Sequence, residues 1–303
     1  MELSTHSFFV DLDFLGRPRA IATLVLHGLG GVALVDPGPT SCLPTLEARL
    51  LAQGIRLSDV TDILVTHIHL DHSGSVGVIV RAHPRIRVWV HERGLPHLAD
   101  PTKLVESAAR LYGDDMGRLW GDIAGMPMEN LTPLVGGERI VAAGRSIEVA
   151  YTPGHASHHV SYFDAESELA MVGDVAGVCI AGGFILPPTP PPDINLDVWP
   201  ESAARIERWA PSRLFLTHFG PVDAPEAHLR ALFSNLRMTT GWVEESLDQS
   251  GTDEDRAGRF SDRLTRHMRE RLSEAELASY PVAAPFEHLW QGLARYLRKT
   301  RSR

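Results

Sequence analysis

The sequence predicts an α/β protein in which two layered halves of strands and helices precede a helical C-terminal part. Three observations lead to this prediction. Short apolar, strand-like runs alternate with helical patterns up to about residue 217, and several of these runs end in His or Asp. From about residue 224, apolar residues recur only at steps of three and four. The order indicates a sandwich of sheets covered by helices, with strand ends meeting at one edge.

Strands and helices alternate in the first half. Its strands are predicted at 7–12, 20–26, 31–35, 61–66 and 86–90, and its helices at 41–53 and 73–82. The second half repeats the pattern, with strands predicted at 138–141, 145–151, 158–163, 168–173 and 213–217 and a helix at 199–210. Between the halves, residues 102–124 are predicted as helix and loop, with Tyr112 and Trp120 available to line a pocket.

The C-terminal part carries the apolar stripes of amphipathic helices, for example Leu229, Leu232, Phe233 and Leu236. We therefore predict a sandwich domain at 1–223 and a helical subdomain at 224–303 that packs on it and narrows the opening of the site. The basic segment 295–303 is expected to be a solvated terminus, with contact to an anion or a partner as the alternative.

Composition limits the classes of function. A chain of 303 residues with 44% hydrophobic residues can bury one sizeable core and a smaller satellite. No apolar run reaches the length of about 18 residues that a membrane span needs, and the N-terminus has no signal-peptide pattern. Two cysteines favour a reduced, cytoplasmic setting. A net charge of −9 gives no general attraction to nucleic acid. We expect neither a nucleic acid nor a membrane as partner, and a homodimer stays open.

A dense group of metal-ligand side chains follows one apolar run. Three imidazoles and one carboxylate occur within six positions, at His67, His69, Asp71 and His72. Such donors suit zinc, iron or manganese. Alternate residues of an extended segment point the same way, so His67 and His69 can share one metal. Asp71 and His72 follow where the chain turns towards a helix near Ser73, and they can face a second metal.

Three later strand-like runs also lead to a metal-ligand side chain. These residues are His155, Asp174 and His218. Binding residues gather on loops after strands because the sheet fixes the ends of each loop while the side chains converge. One segment cannot close two metal sites, so we expect the four strand ends to form a single constellation.

In this order, the seven residues resemble the ligand set of the metallo-β-lactamase superfamily, and Asp36 resembles the Asp that ends an early strand in those proteins. The resemblance covers roughly residues 7–222 and implies an αββα sandwich with a dinuclear metal site along one edge. Carried over by position, the ligands of one metal are His67, His69 and His155. Those of the other metal are Asp71, His72 and His218. Asp174 would bridge two divalent ions, expected to be Zn²⁺ with iron or manganese as alternatives, and would leave room for a bridging hydroxide.

Residues beside this set have less specific patterns. His158 and His159 follow His155 closely and could replace it, but Gly154 lets the backbone turn sharply at His155, and the superfamily's third motif falls there. His158 is predicted as an outer partner of a metal-bound imidazole. Asp36 is predicted as a hydrogen-bonding group beneath the ligand loops rather than a metal ligand.

Five prolines in the six residues 187–192 predict a stiff, extended backbone. We interpret this segment as a rigid wall beside the metal site, with Phe184 and Ile185 facing a substrate that has an apolar portion. The alternative interpretation is a polyproline ligand for another domain.

The resemblance implies a hydrolase of the glyoxalase II-like or lactonase-like kind. We predict a small-molecule substrate with a thioester, lactone or ester bond, and assign to Asp71 the holding and shuttling of a proton of the attacking water. Tyr112 could assist the developing oxyanion. Superfamily chemistry leaves three alternatives open: a phosphodiesterase or β-lactamase, a mononuclear iron sulfur dioxygenase, and a non-catalytic binding protein.

Overall fold

The computed structural model describes residues 2–4, 6–180 and 182–301. The strands within these residues are β1 (Glu2–Ser4), β2 (Ser7–Asp11), β3 (Ala22–Gly28), β4 (Gly31–Val35), β5 (Val60–Leu64), β6 (Arg87–His91), β7 (Leu131–Leu134), β8 (Arg139–Ala142), β9 (Arg145–Tyr151), β10 (Val160–Asp164), β11 (Leu169–Met171), β12 (Arg213–Leu216) and β13 (Gly220–Val222). The α-helices are α1 (Leu43–Leu51), α2 (Leu70–Ser73), α3 (Val76–Ala82), α4 (Leu95–Ala99), α5 (Thr102–Tyr112), α6 (Met116–Trp120), α7 (Trp199–Arg208), α8 (Pro225–Leu247), α9 (Asp253–Arg269), α10 (Glu274–Leu277), α11 (Tyr280–Ala283) and α12 (Phe286–Arg301).

The strands form two mixed sheets. In the described residues, the first sheet has the order β1-β2-β3-β4-β5-β6-β7, and the second has the order β13-β12-β11-β10-β9-β8. Strands β4 to β7 run parallel, so the carboxyl ends of β4 and β5 reach the same edge. In the second sheet, β11 is parallel to β12, and β9 is antiparallel to the β10 that separates it from β11. The carboxyl ends of β9, β11 and β12 therefore also share one edge.

Alternating apolar residues bury both faces of each sheet. On β3, Leu24 and Leu26 pack between the sheets, whereas Val25 packs against the helices outside. Phe215 of β12 likewise lies between the sheets, and its neighbour Leu216 faces the opposite helical layer. The helices of the first outer layer include α1 and α3, and those of the second are α7 and the first half of α8. These four layers confirm the predicted αββα sandwich.

The C-terminal helices share a third apolar core with the segment that leads to the prolines. Helices α9 and α12 and the end of α8 contribute to this core, and Ile180, Phe184 and Leu186 pack into it from the sandwich side. The Tyr280 hydroxyl also hydrogen-bonds the backbone of Ile180 and Phe184. The predicted C-terminal helical part is confirmed. Its boundary at residue 224 stays a prediction, because α8 contacts both the sandwich and the helical core.

The sequence pattern missed several short elements. Strands β7 and β13 lie at sheet edges and contain Pro133 and Pro221, which disguise a strand pattern but are tolerated at an edge. Helix α4 was not predicted either. The helix predicted at 73–82 corresponds to α3, which begins at Val76, and Asp71 and His72 lie in the separate short helix α2 that precedes it.

No helix in the described part of the chain combines the length and the apolar character that a membrane crossing requires.

We predict that the core around α12 contributes strongly to stability. Leu293 is fully buried in that core, so Leu293→Ala should lower the free energy of unfolding by about 2–5 kcal/mol through lost burial and an unfilled cavity. Leu51→Ala is the matched control, because Leu51 is 61% exposed and its truncation should cost roughly 0.5 kcal/mol or less. Urea unfolding measures both values. Equal midpoints for the two variants would contradict this packing.

Candidate metal centre

The metal-ligand side chains meet where strand ends of both sheets converge. The segment from His67 to His72 follows β5, and His155 follows β9. Asp174 lies in a short 3₁₀ turn after β11, and His218 is the second residue after β12. Gly154 turns the chain ahead of His155 with a φ of 146°, and a Cβ there would stand 2.5 Å from Cγ of Trp199. The close approach of α7 therefore requires glycine at this position.

Three imidazole nitrogens converge on one point. Nε2 of His67 lies 3.0 Å from Nδ1 of His69 and 3.2 Å from Nε2 of His155. The remaining distance, from Nδ1 of His69 to Nε2 of His155, is 2.9 Å. Ligands at about 2.0–2.1 Å from a tetrahedral metal stand slightly more than 3 Å apart. The triangle of nitrogens therefore has nearly the size that one such ion needs.

A second group lies beside the first. Nε2 of His218 is 3.3 Å from Nε2 of His72 and 3.3 Å from Oδ2 of Asp71. Nε2 of His72 lies 3.8 Å from the same carboxylate oxygen of Asp71. Two imidazoles and a carboxylate thus face a second point at distances that suit one ion.

Asp174 faces both groups. Its Oδ1 lies 3.2 Å from Nε2 of His72 and 3.5 Å from Nε2 of His218, and its Oδ2 lies 3.6 Å from Nε2 of His155. Oδ1 is buried and has no hydrogen-bond partner. Burying a carboxylate oxygen without a partner is costly, so this atom fits a site that binds cations. The residues present therefore fit two metal ions that share Asp174.

The charges of the two groups differ. Burial, reinforced by neighbouring imidazoles, lowers the pKa values of His67 and His69 well below the usual range, so both are neutral and can offer lone pairs. Burial opposes ionisation of Asp71, but His72 and His218 outweigh it and lower the pKa of Asp71 to about 2. Burial lowers the pKa of His72 and of His218, yet the adjacent carboxylates overcome it and raise both. The carboxylates beside His72 and His218 therefore make the second group a favourable place for positive charge, either a proton or a metal ion.

Comparison with known proteins decides the family. A sequence model described as the Metallo-beta-lactamase superfamily matches residues 16–218. The chain belongs to the metallo-β-lactamase superfamily. The fold, the order of the ligand residues and the convergence of their strand ends all agree with this membership.

Within the superfamily, two curated relatives are informative. The metallo-beta-lactamase fold-containing protein ST1585 of Sulfurisphaera tokodaii is 29% identical over 222 residues, which make up 72% of this chain and 80% of that protein. A hydroxyacylglutathione hydrolase of Synechococcus is 31% identical over 149 residues, which make up 48% of this chain and only 45% of the enzyme. The second likeness is therefore partial.

Solved structures support the fold over the full chain. The superfamily protein TTHA1429 from Thermus thermophilus has a TM-score of 0.74 at 22% identity and covers 99% of this chain, with 95% of its own length matched. TTHA1623, solved in a di-iron-bound form, has a TM-score of 0.54 at 26% identity, covering 74% of this chain and 98% of its own.

Outer hydrogen bonds orient the ligands of this superfamily site. Nδ1 of His155 donates to the Pro188 carbonyl at 2.8 Å, and Nδ1 of His218 donates to the Ala20 carbonyl at 2.6 Å. Each bond fixes the proton on Nδ1 and leaves Nε2 free for a metal. Sequence reasoning missed both partners and had no signal for them, because they are backbone carbonyls brought close by the fold.

Asp36 lies beneath the ligands, and its carboxylate belongs to neither of the two metal-facing groups. Its Oδ2 accepts hydrogen bonds from the hydroxyls of Thr66 and Thr217 at 2.7 and 2.8 Å, and from Nδ1 of His72 at 2.8 Å. Its Oδ1 accepts from the backbone N–H of Thr66. Since the Thr66 hydroxyl donates to Asp36, its oxygen accepts from Nδ1 of His67, 3.1 Å away. One carboxylate therefore orients a ligand in each group.

The neighbouring histidines have other contacts. Nδ1 of His158 accepts a hydrogen bond from the backbone N–H of Ile68 at 3.4 Å, and no hydrogen bond joins His158 to a ligand imidazole within the described residues. The ring of His158 instead lies edge-on to the ring of His69, with 5.7 Å between their centroids, so its role as an outer partner stays a prediction. His159 is fully buried, and its Nδ1 lies 2.9 Å from the Thr152 hydroxyl behind the site.

The site opens into a cavity of about 600 Å³ between the sandwich and the C-terminal helices. Tyr112 and Trp120 line it from one side, and prolines of the 187–192 segment line it from another. Phe184 and Ile185 do not line it. Phe184 is buried in the C-terminal core, and Ile185 packs against the helical layer of α7 and α8. Their predicted contact with substrate is wrong, since these residues hold the segment in place from behind.

We predict that Asp36→Asn weakens metal binding although Asp36 is not a ligand. An amide cannot accept all the hydrogen bonds that the carboxylate receives, so His72 and Thr66 should lose their orientation, and Zn²⁺ affinity should fall about 10- to 100-fold. Competition with a chromophoric chelator measures this affinity.

The matched control is Asp223→Asn, because Asp223 is exposed and paired only with Arg213 within the described chain. Thr217→Val removes one of the bonds to Asp36 and should give a smaller loss of affinity. Unchanged Zn²⁺ affinity in both Asp36→Asn and Thr217→Val would contradict the orienting role.

Proposed function

We propose that this chain is a metal-dependent hydrolase that cleaves a thioester, lactone or ester bond of a small molecule. One observation carries the proposal: two groups of three potential ligands lie on either side of the buried carboxylate of Asp174, at the end of a cavity. Two divalent ions, with Zn²⁺ as the first choice, would occupy His67, His69 and His155 on one side and Asp71, His72 and His218 on the other. A cytoplasmic setting is part of the proposal and is consistent with two buried, unpaired cysteines.

Divalent ions held by these residues would supply a water whose pKa is lowered to about 7 and a positive charge that polarises the carbonyl oxygen of the substrate. The side chains handle the proton. Asp71 is the more open of the two acidic ligands, with 19% of its side chain exposed against 6% for Asp174. Its carboxylate lines the cavity and stays ionised, so it can hold a proton of the attacking water and pass it on.

Tyr112 lines the same cavity, and we assign to it a contact with the same substrate. Burial, together with the charge of Asp71, raises the pKa of the Tyr112 hydroxyl, so the phenol stays protonated and can donate a hydrogen bond. Its ring is fixed by edge contacts with Trp120 and His288 at centroid distances of 5.0 and 5.2 Å. A fixed donor in a partly closed cavity suits the oxygen that becomes negative in acyl transfer.

Among the ester-type bonds, the thioester has the most support. The partial likeness to hydroxyacylglutathione hydrolase favours an acyl carbon bound to sulfur. In that reaction water adds to the carbonyl carbon, the C–S bond breaks, and the thiolate leaves and receives a proton. The products are a carboxylate and a thiol.

We predict that Asp71→Ala abolishes turnover. With the metal-loaded protein and a panel of thioesters, lactones and p-nitrophenyl esters, the variant should lose at least about 100-fold in kcat because it loses both a ligand and the proton carrier. Asp114→Ala is the control, since Asp114 is exposed and does not line the cavity. Loss of turnover in Asp71→Ala alone would also exclude a purely binding role. Equal turnover in the two variants would contradict the assignment.

We predict that removal of metal stops hydrolysis reversibly. Dialysis against a chelator should eliminate activity, and Zn²⁺ should restore it at two ions per chain. The likeness to TTHA1623 in its di-iron form makes iron the second metal to test. After reconstitution with Fe²⁺, two reactions should be measured: thioester hydrolysis, and oxygen uptake with a persulfide.

Full activity in the chelated protein would overturn the hydrolase proposal. Oxygen uptake with one iron per chain would replace the proposal with a sulfur dioxygenase. Phosphodiesters and β-lactams in the same panel test the two remaining hydrolytic alternatives.

A further inference from the structure

Four cations without an ion pair line the mouth of the cavity. They are Lys103 and Arg110 from α5 and Arg295 and Lys299 from α12. All four are exposed, and in the described residues none forms an ion pair. Other basic residues of α12 are paired, since Arg298 contacts Asp253 at 2.6 Å and Arg301 contacts Glu244 at 3.0 Å. On α12, therefore, the cations without an ion pair in the described residues are the two that line the cavity.

Helical spacing places these cations on matching faces. Lys103 and Arg110 are seven positions apart on α5, with Ser107 between them also lining the cavity. On α12, His288, Arg295 and Lys299 follow one another at steps of seven and four. Residues at these spacings share one face of a helix. Both cationic faces thus point into the same space.

The two helices meet at the metal end of the cavity. The Tyr112 ring at the end of α5 contacts the His288 ring near the start of α12. With a rise of 1.5 Å per residue, Arg110 lies about 3 Å along its helix from this contact, and Lys103 about 13 Å. Arg295 and Lys299 lie roughly 10 and 17 Å along α12 from it. The positive charge therefore continues well away from the reacting bond.

Little negative charge opposes these cations. Apart from the metal ligands Asp71 and Asp174, the carboxylate that lines the cavity within the described residues is that of Asp193. That side chain already accepts a hydrogen bond from the backbone N–H of Ser157 at 2.8 Å. A fifth cation, Arg93, is occupied by the Tyr151 hydroxyl at 3.0 Å. The cavity mouth is thus strongly cationic although the whole chain carries −9.

We propose that these four cations bind the phosphate-bearing end of an acyl thioester whose thiol portion is a long arm. This inference rests on the proposed hydrolase function and specifies its substrate class. Four unpaired cations at distances up to roughly 17 Å match several negative charges on an extended ligand. A thiol peptide with two carboxylates and an amine carries one net negative charge and would leave most of these cations without a partner.

A pair of thioesters with the same acyl group tests the proposal. Butyryl-coenzyme A carries several phosphate charges, and S-butyryl-N-acetylcysteamine is its neutral counterpart. For the wild type, kcat/KM should be at least about 100-fold higher with the charged ester, mainly through a lower KM. The double variants Lys103→Gln/Arg110→Gln and Arg295→Gln/Lys299→Gln should each lose about 10-fold with the charged ester and nothing with the neutral one.

The control variant is Arg237→Gln, because Arg237 is exposed on α8 and does not line the cavity. It should leave both esters unaffected. Equal kcat/KM for the two esters in the wild type, or a higher value for S-butyrylglutathione than for butyryl-coenzyme A, would overturn the proposal.

A binding measurement separates this proposal from the hydrolase proposal. Adenosine 3′,5′-bisphosphate has phosphates but no scissile bond and no thiol, and calorimetry should show that it binds the metal-loaded wild type. Its affinity should fall about 10-fold or more in the quadruple Gln variant and should weaken as salt rises.

Binding of this probe without hydrolysis of any ester would overturn the hydrolase and keep the cationic site. If esters are hydrolysed but the wild type and the quadruple variant bind the probe equally, the hydrolase proposal is kept and the cationic site is overturned. Displacement of the probe by single-stranded RNA at lower concentration than by coenzyme A would also overturn the proposal.

Discussion

The buried carboxylate of Asp36 is the constraint on which the site depends. It joins the carboxyl ends of three strands, because it follows β4 and accepts hydrogen bonds from Thr66 after β5 and from Thr217 after β12 of the other sheet. The backbone at Asp36 has a φ of 50°, a region that Asp tolerates better than most residues, and this turns the carboxylate beneath the ligands. That link holds the loop after β5 and the loop after β12 at one common point. The bond to His72 then transmits the arrangement to the metal-facing nitrogens.

Crowding of like groups follows from this convergence. The nitrogens of His67, His69 and His155 approach one another within hydrogen-bond distance, with His67 and His155 buried and His69 half-buried, and a shared cation would stabilise lone pairs brought this close together. Carboxylates are arranged asymmetrically around them: Asp71 belongs to one group and opens to the cavity, whereas Asp174 lies between the groups. This asymmetry underlies the two roles that we propose. Asp71 is open to substrate and can exchange a proton, whereas Asp174, as a buried bridging ligand, cannot.

The sequence predicted those parts that depend on local pattern. Apolar alternation indicated the strands and layers, and the spacing from His67 to His72, with residues at three later strand ends, predicted which side chains meet. Contacts made by the backbone could not be predicted in this way, as the carbonyls of Ala20 and Pro188 show. The predicted substrate contact of Phe184 was wrong for a related reason. An aromatic residue beside a run of prolines can face either a cavity or a core, and only the position of α9 and α12 decides between them. The net charge of −9 likewise gave no sign of the positive charge at the cavity, because acidic residues elsewhere in the chain outweigh the four cations there.

Anomalous diffraction from crystals of the metal-loaded protein would locate the metal ions of the proposed dinuclear centre. We expect two peaks about 3.5–4 Å apart. One should lie between His67, His69 and His155 and the other between Asp71, His72 and His218, with Asp174 contacting both. A single peak, or two peaks that leave Asp174 without a metal contact, would contradict the shared dinuclear centre.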